Sequence, residues 1–128
     1  MIPMIEAIRS DKSAAPIGPY SQAIKANGFI FVAGEKGIDV KTGTIVPGGI
    51  EAETRQTLEN IKGILEAAGS SMEKVVQSFV FMTDLSEFAK MNQVYAGYFG
   101  AVPPGRTTVE VKGLPAEAKI EITVTAVQ

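Results

Sequence analysis

A chain of 128 residues, 45% of them apolar, is sized for a single domain over 1–128 with a core that needs no disulfide or structural metal. Its formal net charge of −2, with both signs mixed along the chain, leaves no electrostatic footprint for a nucleic-acid backbone. Cysteine and histidine are both absent, which excludes thiol and Ser–His nucleophile systems, imidazole acid–base chemistry and thiolate- or imidazole-bound zinc.

No apolar run is long enough to span a bilayer, so no membrane partner is expected. The stretch MIPMIEAIRSDKSAAP carries Glu6 where a signal peptide would be apolar, and the expected location is the cytoplasm. Strand signals cover Ile5–Ile8 and Ser21–Ala26, and Asn27–Gly28 reads as a hairpin turn into the apolar run Phe29–Ala33. Gly34–Gly49, rich in glycine, reads as loop or short irregular strand. From Glu51 to Ala68 the spacing of Thr54, Leu58, Ile61, Leu65 and Ala68 predicts a helix, with Glu51 and Glu53 in its first turn and Gly69 as its stop.

Val75–Met82 reads as a strand apolar on both faces, Val75, Phe79 and Phe81 to one side and Val76, Val80 and Met82 to the other. A second helix is expected over roughly Ser86–Phe99, where Phe88, Met91, Tyr95 and Tyr98/Phe99 fall at helical spacing before Gly100. Pro103–Pro104–Gly105 turns the chain into two last strands, Arg106–Val111 and Lys119–Val127. This order predicts an α+β, two-layer sandwich: one mixed sheet with two helices on one face. The second apolar face of Val75–Met82 then needs a cover, either another copy of the chain or the glycine-rich loop.

In the last strand Ile120, Ile122, Val124 and Ala126 share one parity, and Glu121 is a lone carboxylate among Thr123 and Thr125 on the other. Arg106, Thr108 and Glu110 share a parity in the strand before it. If the strands share a sheet, a guanidinium and a carboxylate can face one cavity. Two readings stay open: a salt bridge of Arg106 with Glu121 or Glu110, or an arginine fork for a substrate carboxylate with Glu121 orienting a water. Tyr20 follows the rigid Gly18–Pro19 and is either a core tyrosine or a pocket hydroxyl, and Asn92 lies mid-helix beside the apolar stripe. Gly34–Glu35–Lys36–Gly37 has neither dinucleotide nor Walker spacing.

Segments spread along the chain carry a more specific pattern: Ala15–Pro16–Ile17–Gly18–Pro19–Tyr20–Ser21–Gln22–Ala23, Phe31–Val32–Ala33–Gly34, Gln56–Thr57–Leu58–Glu59–Asn60–Ile61, Phe88–Ala89–Lys90–Met91–Asn92, Gly105–Arg106–Thr107–Thr108–Val109–Glu110–Val111 and Lys119–Ile120–Glu121–Ile122. Together they resemble the Rid (YjgF/UK114) family of enamine and imine deaminases. The resemblance implies a chorismate-mutase-like fold, a homotrimer with a central β-barrel and inter-subunit clefts, and hydrolysis of 2-imino acids (2-iminobutanoate, 2-iminopropanoate) to 2-oxo acids and ammonia, with no cofactor and no metal. It gives Arg106 the substrate carboxylate and Glu121 the attacking water. It puts Thr108 where a cysteine's main chain often helps place that water, and Tyr20, Gly34, Phe88 and Asn92 along the cleft.

The chain departs from the common pattern at Ala33 for serine, Glu35 for glutamine and Thr108 for cysteine. Of these, Glu35 would oppose an anionic substrate if it pointed into the cleft. Other roles attached to the family are a sensing module for 2-oxo or 2-imino acids, RNA cleavage or translation inhibition, and chaperone-like holding. The charge and the absence of histidine argue against the RNA role.

Overall fold

The computed structural model describes residues 4–128. In chain order the elements are β1 (Glu6–Ile8), β2 (Ala23–Ala26), β3 (Phe29–Val32), β4 (Ile38–Asp39), β5 (Thr44–Ile45), α1 (Gly49–Ala67), β6 (Val75–Met82), α2 (Phe88–Tyr95), β7 (Gly105–Glu110) and β8 (Ile120–Val127). Asn27 and Gly28 both take positive φ, the geometry of a two-residue turn matched to strand twist, and they close the β2–β3 hairpin. The glycine-rich stretch contains a small hairpin of its own, β4 with β5, closed by Gly43 N–H donating to the Asp39 carbonyl at 2.8 Å.

Six strands form one sheet in the order β1-β2-β3-β8-β6-β7. All pairs are antiparallel except β6 with β7, which a crossover through α2 makes parallel. The mixed α+β architecture expected from the sequence is therefore present. Every residue of the predicted helical stripe, Thr54, Leu58, Ile61, Leu65 and Ala68, is buried. Leu58, Ile61, Leu65 and Ala68 join Ile30, Val80, Met82, Ile120, Ile122 and Val124 in one core cluster between sheet and helices, to which α2 adds Met91 and Tyr95. Helix α2 is shorter than the predicted Ser86–Phe99, because single 3₁₀ turns at Leu85–Glu87 and Ala96–Tyr98 flank its eight residues.

One face assignment needs correction. A register shift between Val75 and Gln77 inserts a β-bulge, which puts Val75 with Val80 and Met82 on the core side and turns Val76 out with Phe79. Simple alternation had paired Val75 with Phe79 and Val76 with Val80. The conclusion that both faces are apolar survives the exchange: the side away from the helices shows Phe31, Val76, Phe79 and Val109, each more than a third exposed.

Candidate active site

Arg106, the second residue of β7, lies opposite Ser78 of β6, and Ser78 in turn lies opposite Val124 of the core, so the arginine leaves the sheet on the helix side. There its guanidinium carbon sits 4.7 Å from the ring centre of Tyr95 and 5.4 Å from that of Phe88, both supplied by α2. Among the described residues no carboxylate pairs with it. Glu110, one candidate partner, instead accepts the Leu85 N–H at 2.9 Å. Arg106 borders a cleft of about 540 Å³ together with Asn92, Tyr95, Phe99 and Pro104. Burial pushes the Tyr95 phenol further above its ordinary range, so the ring stands beside the cation as a neutral group. The Tyr95 and Ser78 hydroxyls are buried here and find no hydrogen-bond partner within bonding geometry among the described residues.

Glu121 lies opposite Phe81 of β6, and Phe81 opposite Val109, on the face away from the helices. Its Oε1 is 3.5 Å from the Lys36 ammonium. Gly34 makes room for the rest of the group: a Cβ there would stand 2.5 Å from Oε2. Tyr20, Ala33, Gly34, Lys36 and Glu121 border a second cleft of about 300 Å³. Tyr20 accepts the Ile17 N–H on its hydroxyl at 3.3 Å, which holds the ring against the turn it follows.

Within one chain, then, the expected residues form two groups. Arg106, Phe88 and Asn92 belong to the first, Glu121, Tyr20 and Gly34 to the second, and among the described residues none borders both clefts. Arg106 and Glu121 do not face one cavity of a single chain, because they project from opposite faces of the sheet. Neither of the salt bridges weighed for Arg106 forms. Thr108 lies opposite Val80 on the side of Arg106, half-buried. Glu35 bridges Ile122 of the core and so points to the helix side, where it lines a small cavity with Gln22 and Asn60 that adjoins the Glu121 cleft through Ile17, Tyr20, Gly34 and Lys36. Burial raises its carboxyl to about 7, Lys36 opposing the rise and Glu121 adding to it.

Several supports carried no sequence signal of their own. Gln22, buried, accepts the Ser10 N–H at 2.6 Å and donates to the Ala14 carbonyl at 2.9 Å, tying down the segment that leads to Tyr20. Asn60 donates to the carbonyls of Lys36 and Ile38 at 3.1 and 2.9 Å and so fixes the loop behind the second cleft. Glu53, predicted in the first turn of α1, is buried and accepts the Lys119 N–H at 2.8 Å, anchoring the chain two residues before Glu121. A glutamate or asparagine in a helix looks solvent-facing until the loop it holds is in place.

A family profile described as Endoribonuclease L-PSP matches residues 11–128. A RutC family protein of Pyrococcus horikoshii is 56% identical over 119 residues, 93% of this chain and 94% of its own. The chloroplastic Reactive Intermediate Deaminase A of Arabidopsis thaliana is 43% identical over 117 residues, 91% of this chain and 63% of that protein. The chain belongs to the Rid family. Reactive intermediate deaminases are therefore among the relatives of this Rid protein. Its fold matches that of E. coli TdcF, solved with bound serine, at a TM-score of 0.91 and 35% identity, covering 96% of this chain and 98% of the other.

Proposed function

We propose that this Rid protein hydrolyses 2-imino acids such as 2-iminobutanoate and 2-iminopropanoate to 2-oxo acids and ammonia, in sites that two neighbouring copies of the chain complete. The observation that carries the reading is Arg106: a guanidinium without a carboxylate partner among the described residues, clamped by Phe88 and Tyr95 at the edge of a cleft. Two parallel N–H bonds from such a fork hold a carboxylate and set the direction of the C2 carbon. A protonated imine is already electrophilic, so the protein's main task is orientation.

Glu121 holds a water and takes its proton as the oxygen bonds to C2. Glu121 returns that proton to the carbinolamine nitrogen, the hydroxyl gives its own proton back to the carboxylate as its O–H electron pair becomes the C=O bond, and the C–N bond breaks with its electrons leaving on ammonia, which yields the 2-oxo acid. Tyr20 and the Thr108 main chain help place water, and Asn92 lines the carboxylate end. The chemistry calls for no cofactor and no metal.

Because Arg106 and Glu121 leave opposite faces of one sheet, a complete site needs Arg106 from one chain and Glu121 from its neighbour. The apolar open face, with Phe31, Val76, Phe79 and Val109 more than a third exposed, supports association through that surface. We take the assembly to be a homotrimer whose sheets form a central barrel in a chorismate-mutase-like arrangement. No helix of the described residues is long and apolar enough to cross a membrane, and we place the protein in the cytoplasm.

The test couples the protein to a threonine dehydratase and follows decay of the released imine. Wild type speeds the decay, and Arg106→Ala falls to the uncatalysed rate; equal decay with both proteins removes the assignment. The serine held by TdcF favours one second reading, a module that binds small 2-amino, 2-imino or 2-oxo acids without turnover. Calorimetric binding of 2-oxobutanoate together with unchanged imine decay would establish that reading instead. The endoribonuclease in the family description finds no support in a chain of net charge −2 without histidine.

A further inference from the structure

We propose, on the deaminase reading above, that Lys36 is a positioning residue for Glu121: its ammonium and the Gly34 backbone together orient the carboxylate that meets the attacking water. Lys36 is only 7% exposed, and a buried ammonium is costly unless paired. Its ion-pair partner is Glu121, whose Oε1 lies 3.5 Å away. The stem that delivers the ammonium is held on both sides. The Lys36 carbonyl accepts from Ile38 N–H at 2.8 Å and from Asn60 at 3.1 Å, and the preceding residue, Glu35, exchanges two backbone hydrogen bonds with Ile122, at 2.8 and 2.9 Å. The ammonium thus approaches one carboxylate oxygen from a fixed point, while the other oxygen rests in the space that Gly34 leaves by having no Cβ.

Among the described residues no hydrogen bond is made to the Glu121 carboxylate, which has Lys36 as its ion-pair partner, so its lone pairs stay available to water while its plane is set. Lys36 and Glu121 border the same cleft, which puts the pair where the chemistry is and not in the core. An ion pair serving only the fold would have no reason to act on turnover through Glu121. The consequence is a specific kinetic signature. Losing the ammonium frees the carboxylate to rotate away from the attack line, which lowers kcat, while the grip on the substrate carboxylate stays with Arg106 and KM holds.

The experiment uses the imine-decay assay on full-length wild type, Lys36→Met, Lys36→Arg, Glu121→Gln and the double variant, with circular dichroism and gel filtration as controls of folding. Lys36→Met is expected to lower kcat about tenfold or more with KM within about threefold, and Lys36→Arg to restore most of the rate. In the Glu121→Gln background the same lysine change is expected to cost less than about twofold, since the group it acts through is gone. If Lys36→Met does not fold, Lys36→Gln, which keeps a polar end in the same space, carries the same expectation.

An unchanged kcat in the lysine variants, an equal loss in both backgrounds, a loss confined to KM, or no rescue by arginine overturns the positioning role. A wild type without activity overturns the deaminase reading itself. An active wild type with an unaffected Lys36→Met overturns only the role of Lys36.

Discussion

Replacing Gly34 by alanine separates the chemistry of this site from its stability. The new Cβ would stand 2.5 Å from Glu121 Oε2, 2.8 Å from Cδ and 3.2 Å from Cγ, against the 3.4 Å at which ordinary contact begins. The carboxylate must therefore retreat by about 0.9 Å, the difference between 3.4 and 2.5. It can do so cheaply, because the group in the way is the end of a flexible side chain. The backbone adds no strain, as Gly34 is not among the glycines with positive φ. Losing a glycine returns roughly 0.4–1 kcal/mol through the unfolded state, so the net change in stability stays within about 1 kcal/mol.

A displacement of about 1 Å at a group that aligns the attacking water costs on the order of a hundredfold in rate, or about 2.7 kcal/mol of barrier. The assay pairs initial rates of imine decay with a thermal melt of the same preparation. The expected result is a loss of that order with Tm nearly unchanged. A rate within threefold of wild type would refute the placement of Glu121 over Gly34. A rate loss accompanied by a fall in Tm of about 10 °C or more would refute the separation of chemistry from folding.

Glu35→Gln tests the buried carboxyl on the helix side. Its folded-state value of about 7 lies above the ordinary 4.5, so the folded chain binds more protons than the unfolded one between these values. The contribution to stability is full below 4.5 and lost as pH rises through about 7, up to about 3 kcal/mol in all. Denaturant midpoints from pH 4 to pH 8 should show wild type losing stability relative to Glu35→Gln as pH rises, and parallel curves would sink the idea. Subunit complementation tests the shared site: Arg106→Ala is inactive and Glu121→Gln keeps only a small residual rate, but co-refolded one to one in a cyclic oligomer they restore about a quarter of the wild-type rate, since a quarter of the interfaces pair an intact arginine with an intact glutamate. If no activity returns, both residues belong to one chain's site or the chains do not assemble, and gel filtration of the mixture tells these apart.

Local signals were sufficient for most elements. The stripe from Thr54 to Ala68 could only be a helix with one buried face, Asn27–Gly28 supplied the positive φ that a two-residue hairpin turn requires, and the alternation Ile120, Ile122, Val124, Ala126 is the core face of β8. The resemblance carried by segments spread over the chain also pointed to Arg106, Glu121, Tyr20, Gly34, Phe88 and Asn92.

Only the tertiary structure decided which of these residues share a surface. Arg106 and Glu121 each have a clear parity within their own strands, but β6 lies between those strands. It meets Arg106 at Ser78 and Glu121 at Phe81, positions separated by an odd number of residues and hence on opposite faces. Strand register is a long-range property, set by packing and by the bulge near Val76, and no window of sequence contains it. The same holds for Lys36 and Glu35, adjacent in sequence. Backbone bonds to Ile122 turn one toward the core and leave the other to reach Glu121, a division that exists only once β8 lies beside the loop.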